Sequence, residues 1–239
     1  MFFIGDDRMK LSERLQMVAG LIRPGRPVAD IGTDHAYLPV YLLIENRIPR
    51  ALACDLREGP LQNAKQTVER YGFSDKVELI LSDGLKALAP GCVNDFVIAG
   101  MGGNLIADIL AASNWVLDTD NHFVLQPQSH AEDLREYLVN SGFEILREVV
   151  CREGRHLYLA MEVIYTGKIK KYPITYYYLG ELPNSESELR DEYIDFIYDR
   201  LKVRCDALVK SKNDDGTVKM LDMVLEKIEE IRSGEYAKD

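Results

Sequence analysis

Three aspartates recur at the ends of short apolar segments, where their side chains could hold a nucleoside. Asp30 lies within the first segment, Asp55 ends the second and Asp83 follows the third. A carboxylate has two acceptor oxygens, so Asp55 suits the two hydroxyls of a ribose, and Asp83 suits the amino group of an adenine. Taken alone, each aspartate could equally be an ordinary turn or helix-cap residue that binds no ligand. Their shared position in three successive segments predicts a nucleoside site.

The turn around Gly32 narrows the choice of ligand. Gly32 separates an apolar segment from a helical pattern, so the backbone can approach a ligand that also meets the helix N-terminus. Asp30 and Asp34 flank this glycine. They would repel phosphate and attract the ammonium and sulfonium groups of S-adenosylmethionine. The second and third glycines of a GxGxxG motif are absent, which disfavours a nicotinamide dinucleotide.

A glycine-rich stretch, residues 99–104, follows the fourth apolar segment. Glycines there would let a cofactor and an acceptor meet without intervening side chains, although a flexible loop before a helix has the same composition. The amides of Gln126 and Gln128 are expected at the same crevice. The residues assigned to the cofactor are Asp30, Gly32, Asp55, Leu56, Asp83, Gly84, Ala99, Gly100 and Met101.

The elements that would position these residues alternate between strand and helix over residues 1–166. The predicted strands are 28–31, 51–55, 77–81, 96–99 and 123–125. Their uninterrupted apolar character predicts an α/β fold with a parallel sheet buried on both faces. Two longer segments, 143–151 and 156–165, predict a terminal antiparallel hairpin. Such a hairpin is typical of the methyltransferase variant of a Rossmann-like sheet, whereas a nicotinamide-binding domain continues with parallel strands.

Residues 167–239 predict a helical hairpin. A first helix from about 185 to 210 and a second over 218–231 carry apolar residues at three- and four-residue steps, and the turn residues 213–216 separate them. Basic residues lie toward the turn, which suits RNA phosphates, although a solvated face or a dimerising coiled coil suits the pattern equally. These residues are Arg200, Lys202, Arg204, Lys210 and Lys212.

Composition excludes several classes of protein. The 239 residues are 46% hydrophobic, enough for a full core, yet no apolar run reaches the roughly 18 residues that span a bilayer. With no leader pattern at the N-terminus, we expect a cytoplasmic protein without a membrane anchor. Four widely separated cysteines form no CxxC pair, so neither a zinc site nor a disulfide framework is predicted. The net charge of −10 still allows a local basic patch.

Five segments carry a resemblance to a known family: DIGTDHAYLP at 30–39, GPL at 59–61, SDGL at 82–85, AGMGGNLI at 99–106 and LQPQ at 125–128. Together they resemble the bacterial tRNA (adenine-22-N1)-methyltransferase family, TrmK, over nearly the whole chain. Ser82 and Gln128 depart mildly from the family pattern. The resemblance implies a class I S-adenosylmethionine-binding catalytic domain over 1–166 and a coiled-coil-like, tRNA-binding helical domain over 167–239. It also implies methylation of N1 of one adenine in the D-arm region of tRNA.

Under this resemblance, Asp34 and Tyr37 are the candidate catalytic residues. Tyr37 would stack against an extruded base, and Asp34 would bond the adenine amino group or take its proton. The chemistry requires positioning and no metal. Substrate contacts are expected from His35, Gly102, Asn104, Arg200, Lys202 and Arg204.

Two other functions fit the same sequence. One is a methyltransferase of this fold that acts on a small molecule or a protein, its helical arm serving dimerisation alone. The other is a noncatalytic protein that senses S-adenosylmethionine and presents the arm to a partner. For the tRNA methyltransferase we expect a monomer or a weak homodimer.

Overall fold

The computed structural model describes residues 9–211 and 216–234. Over these ranges it contains seven strands and eight α-helices. The strands are β1 Val28–Ile31, β2 Ala51–Asp55, β3 Val77–Leu81, β4 Asp95–Gly102, β5 His122–Ser129, β6 Phe143–Glu153 and β7 His156–Tyr165. The helices are α1 Glu13–Leu21, α2 Tyr37–Ile44, α3 Glu58–Arg70, α4 Gly103–Ala111, α5 Ala131–Asn140, α6 Ile174–Leu179, α7 Arg190–Ser211 and α8 Thr217–Ser233.

The seven strands form one sheet in the order β3-β2-β1-β4-β5-β7-β6. Strands β1 to β5 are parallel, and β7 is antiparallel to both β5 and β6. The carboxyl ends of the parallel strands therefore meet at one edge, which is where ligands bind in open α/β sheets. The predicted α/β fold with a terminal antiparallel hairpin is confirmed.

Two hydrophobic layers cover the sheet. One layer holds buried side chains of α1, α2 and α3, such as Val18, Leu42 and Val68. The other holds buried side chains of α4 and α5 together with α7 and α8, including Leu221 and Val224. The C-terminal helices thus pack into the same cluster as one face of the sheet. Within the two described ranges, no helix is both long and apolar enough to cross a membrane.

Residues 99–102 of the glycine-rich stretch are part of β4, which corrects the predicted end of that strand at residue 99, and residues 103–104 begin α4. Met101 pairs with Pro127 and Gly102 with Ser129, with register shifts on either side of Met101. The strand continues because β5 extends beyond its own predicted end to residue 129 and supplies a pairing partner. This side of the crevice is therefore bounded by paired backbone.

Helices α7 and α8 are antiparallel, as expected of a helical hairpin. The side chain of Arg232 bonds Asp195 near one end of the pair, and Cys205 bonds Asp222 nearer the other. Part of the predicted turn, residues 213–215, lies outside the described residues, as does Lys212. The predicted start of the first helix at residue 185 is wrong, since α7 begins at Arg190.

The segment before α7 lies along β6, the edge strand of the sheet. Ser187 Oγ accepts the Val150 N–H at 3.3 Å and donates to the Val150 carbonyl at 3.2 Å, and Ser185 Oγ donates to the Glu148 carbonyl at 2.8 Å. Serine hydroxyls thus satisfy edge-strand groups that would otherwise be exposed. This pairing takes the place of the first predicted helical turns.

A buried ion pair joins the helical region to the sheet. Arg135 on α5 donates through Nε to Glu148 on β6 at 2.8 Å, and both side chains are almost completely buried. Arg135 Nη1 also donates to the carbonyls of Tyr177 and Tyr178, at 3.0 and 2.9 Å. Gly180 follows α6 with φ of 55° and lies so close to this pair that a Cβ would collide with both side chains. The pair fixes the direction in which the chain leaves α6.

Candidate active site

The turn after β1 has the backbone geometry that close approach of a ligand requires. Gly32 has φ of 78°, and a Cβ at this position would collide with the Met101 methyl group. The N–H groups of Gly32 and Thr33 donate to the Cys54 carbonyl at 2.8 and 2.9 Å. These hydrogen bonds tie the turn to the end of β2, beside the predicted ribose site.

Two residues with side chains share the left-handed conformation in this turn. Asp34 and Ala36 both have φ of 54°. Such residues cost about 1–3 kcal/mol each and cluster at functional sites, where the surrounding structure maintains them. Ala36 is also the N-cap of α2 and offers no side-chain hydrogen bond to the helix. The N-terminus of α2 is therefore left to a ligand or to solvent.

A cavity of about 550 Å³ opens at this turn. It lies at the carboxyl edge of the sheet and is closed on one side by α1. The structure brings together residues predicted for the cofactor and residues predicted for the acceptor. Those lining the cavity are Asp30, Gly32, Asp34, His35, Tyr37, Ala99 and Gly100.

Asp30 is the buried acid of this cavity. Burial raises its pKa to about 6, with a further rise from the nearby Asp55 carboxylate, while the hydrogen bond from Thr33 opposes the change. Thr33 Oγ1 donates to Asp30 Oδ2 at 2.7 Å. A buried carboxylate with no cation beside it favours its neutral form, so a ligand ammonium group would restore its charge. Asp30 is thus suited to a cationic ligand.

The rim of the cavity presents an aromatic face. The rings of His35 and Tyr37 stack with centroids 5.1 Å apart and an angle of 7° between their planes. Tyr37 is 45% exposed, so part of its ring is available to a planar ligand. The Asp34 carboxylate lies 3.5 Å from His35 Nε2 and is largely exposed. A flat surface and an acceptor group therefore lie together at the entrance.

The other residues predicted for the site surround the cavity without lining it. Asp55 holds the loops, since its carboxylate accepts the N–H of Asp34 at 3.3 Å and the N–H of Arg57 at 3.0 Å. Leu56 and the Asp83 side chain are 63% and 57% exposed. The residues that follow β2 and β3 therefore form an exposed surface beside the cavity. Also outside the cavity lining, within the described part of the chain, are Gly84, Met101, Gly102 and Asn104.

Arg14 is a part of the site that the sequence did not predict, and it contacts Gln126, which was expected at this crevice. Arg14 lines the cavity and donates through Nη1 to Gln126 Oε1 at 3.0 Å. The same oxygen accepts the Gly100 N–H at 3.1 Å, and Gln126 is fully buried within β5. This bridge holds the backbone of β4 at the cavity. Arg14 lies on an ordinary amphipathic helix pattern, which gave no sign of a ligand contact.

The basic residues predicted to contact substrate from the helical hairpin lie in two different environments. Arg200 and Arg204 line a second cavity of about 440 Å³, which shares Gln128 with the first. Lys202 instead lies 3.6 Å from Asp206, one turn further along α7. Across residues 9–211 and 216–234, no group of three or more acidic, histidine or cysteine side chains is placed to hold a metal ion.

Comparison with known proteins identifies the family. Residues 11–161 match the family described as Methyltransferase domain. A solved structure of Streptococcus pneumoniae Sp1610, a putative tRNA (m1A22) methyltransferase in complex with S-adenosyl-L-methionine, is 31% identical, with a TM-score of 0.78, and the match covers 90% of this chain and all of that one. This chain belongs to the tRNA (adenine-22-N1)-methyltransferase family. The family resemblance of the sequence motifs is thereby confirmed.

Other members of the methyltransferase family agree with this assignment. The Bacillus subtilis tRNA (adenine(22)-N(1))-methyltransferase is 39% identical over 152 residues, which are 64% of this chain and 64% of that protein. The match therefore spans slightly less than two thirds of that curated relative. The structure of Mycoplasma capricolum TrmK in complex with S-adenosyl-homocysteine is 27% identical, with a TM-score of 0.74 and coverage of 94% and 97% of the two chains.

Proposed function

We propose that this protein is an S-adenosylmethionine-dependent methyltransferase that methylates N1 of adenine 22 in tRNA. The observation that carries the proposal is the 550 Å³ cavity at the Gly32 turn, with buried Asp30 inside and the stacked His35 and Tyr37 at its rim. Its lining combines a place for a cationic cofactor with a place for a planar base. The names of the related proteins supply the tRNA position.

The cavity fits the amino acid end of S-adenosylmethionine. The Asp30 carboxylate would bind the ammonium group, and Arg14, which lines the same cavity, would bind the carboxylate. Asp55, buried at the end of β2, and the exposed Asp83, which follows β3, would receive the ribose and the adenine. When bound, the cofactor supplies a methyl group already activated by its sulfonium.

The chain's own residues position the acceptor. Neutral adenine has an in-plane lone pair on N1, and the residues around the base would hold this lone pair in line with the activated methyl group. Tyr37 and His35 would hold the extruded base by stacking. Asp34 would accept from the adenine amino group and balance the positive charge that the ring gains. The backbone near Gly100, fixed by Gln126, leaves room for the two reactants to meet.

The arm and the remaining predictions belong to the same proposal. We expect residues 167–239 to contact tRNA, and the chain to act as a monomer or a weak homodimer in the cytoplasm. The helices of this region share buried side chains with the sheet, so truncation would expose the core. Charge substitutions on the intact chain are therefore the suitable test of tRNA contact.

A transfer assay with labelled cofactor separates the proposed function from its alternatives. Purified full-length protein is incubated with bulk bacterial tRNA, with tRNA-free cell protein and with a small-metabolite fraction. Label in the tRNA alone supports the proposal. Label only in protein or metabolites supports a methyltransferase of another substrate class. Cofactor binding with no transfer to any fraction supports a sensor.

A further inference from the structure

The 440 Å³ cavity, here called the second cleft, has no role in the proposed reaction so far. It lies between the end of β5, α5, β7 and α7. Gln128 lines both this cleft and the cavity of about 550 Å³ at the Gly32 turn, here called the cofactor cavity. Arg14 of the cofactor cavity also lies over the ring of Tyr158, a residue of the second cleft, at 5.8 Å. The two spaces are therefore direct neighbours.

Arginines give the second cleft a positive lining. Arg200 and Arg204 lie one helical turn apart on α7, so they point to the same side. Arg135 contributes a buried guanidinium whose Nε and Nη1 are bonded, whereas Nη2 has no hydrogen-bond partner in the described part of the chain. Glu132 is the carboxylate of the lining, and Glu148 neutralises Arg135. The guanidinium groups of Arg200 and Arg204 outnumber the Glu132 carboxylate, and this excess of positive charge favours an anion such as a phosphate.

Aromatic side chains give the same cleft flat surfaces. Phe196 is 41% exposed, and the Arg200 guanidinium lies over its ring at 5.5 Å. Tyr158 lines the side nearer the cofactor cavity. Exposed rings beside guanidinium groups are the usual surfaces on which proteins stack single-stranded bases, whose phosphates the cations then bind.

We propose that the second cleft binds a nucleotide of the RNA that adjoins the target adenine, with its base on Phe196 or Tyr158 and its phosphate at Arg200 and Arg204. The inference rests on the proposed function and specifies how the substrate is held. An acidic peptide would use the arginines but would gain little from exposed rings next to a base-sized cavity. The shared wall at Gln128 fits one continuous strand that passes from one space into the other.

Binding measurements on the full-length protein test this proposal. The variants are Phe196→Leu, Arg200→Gln and Arg204→Gln, and the matched control is Arg26→Gln, an exposed arginine in the turn before β1 at the opposite edge of the sheet. The probe is a tRNA transcript with adenine at position 22. We expect Phe196→Leu to weaken tRNA binding on the order of tenfold. Each arginine variant should lower the slope of log affinity against log salt by about one.

A second readout locates the nucleotide. Transcripts with 4-thiouridine beside position 22 should cross-link to the peptides that contain Tyr158 or Phe196, whereas 4-thiouridine in the anticodon loop should not. Calorimetry with S-adenosylhomocysteine confirms that each variant is folded, and its affinity should stay within about twofold of the wild type.

The outcomes distinguish the two proposals. If the wild type methylates adenine 22 while the cleft variants bind tRNA like Arg26→Gln, the cleft inference is wrong and the proposed function stands. Cross-links confined to other peptides would also overturn the cleft inference. If the wild type transfers no methyl group to the transcript, both proposals fail.

Discussion

Replacement of Asp30 by asparagine should remove a pH dependence of the protein's stability and weaken cofactor binding. The pKa of buried Asp30 is raised from 3.8 to about 6, so the folded protein holds this proton more tightly than the unfolded chain. Its stability therefore falls as pH rises from about 4 to about 6. Asp30→Asn removes this dependence, because an amide does not ionise, and its oxygen can still accept the bond from Thr33.

The size of the effect follows from the pKa change. A rise of this size corresponds to about 3 kcal/mol of differential stability. Relative to Asp30→Asn, the wild type without cofactor should lose up to about 3 kcal/mol of unfolding free energy between pH 4 and pH 7.5. An unpaired amide group in the variant would cost about 1–3 kcal/mol at every pH, so it does not alter this difference.

Urea unfolding at pH 4, 5, 6 and 7.5 measures the effect. Asp75→Asn, at an exposed position before β3, is the matched control and should follow the wild type. Calorimetry at pH 7.5 should show cofactor affinity falling by at least about tenfold in Asp30→Asn, since a charge-assisted bond to the ammonium group is lost. A difference between wild type and Asp30→Asn that stays constant across pH would refute the burial argument.

Four further substitutions test other parts of the structure. Glu148→Ala should lower the free energy of unfolding by about 3–5 kcal/mol, because it leaves the buried Arg135 guanidinium without its carboxylate; a loss below about 1 kcal/mol in urea unfolding would contradict this. Gly180→Ala should destabilise the protein by at least about 1–3 kcal/mol from backbone strain alone. An unchanged melting temperature would show that the chain can leave α6 by another route. Tyr37→Ala should reduce kcat/KM for tRNA on the order of tenfold while Tyr37→Phe retains it, because stacking needs the ring and not the hydroxyl. Equal activity of these two variants would exclude stacking on Tyr37. Arg14→Gln should weaken cofactor binding about 10–100-fold, as expected for loss of a charged hydrogen bond to a carboxylate; full affinity in calorimetry would remove Arg14 from the cofactor site.

The strands nearest the site could be predicted because their pattern is local. The predicted ranges 28–31, 51–55 and 77–81 coincide with β1, β2 and β3, since each is an apolar run bounded by turn residues. Gly100 and Gly102, which lie within the end of β4, could not be predicted in this way. Their strand conformation depends on pairing with residues 127–129 of β5, which no local pattern reveals.

The functional site likewise contains some residues that the local sequence predicts and others that only tertiary packing brings into place. The aspartates and glycine of the first turn could be predicted, because a strand that breaks at a glycine constrains its immediate neighbours. The contact of Arg14 with Gln126 joins residues 112 positions apart, and the buried pair of Arg135 and Glu148 redirects a segment more than thirty residues away. Such contacts arise from tertiary packing, so sequence periodicity alone does not indicate them.

Mapping the methylated nucleotide tests the central claim most directly. Full-length protein is incubated with S-adenosylmethionine and either a tRNA transcript with adenine at position 22 or the same transcript with guanine there, and nuclease fragments are sequenced by mass spectrometry. We predict up to one methyl group per tRNA, on N1 of adenine 22, and none on the guanine transcript. Equal methylation of both transcripts, or methylation at another nucleotide, would contradict the account.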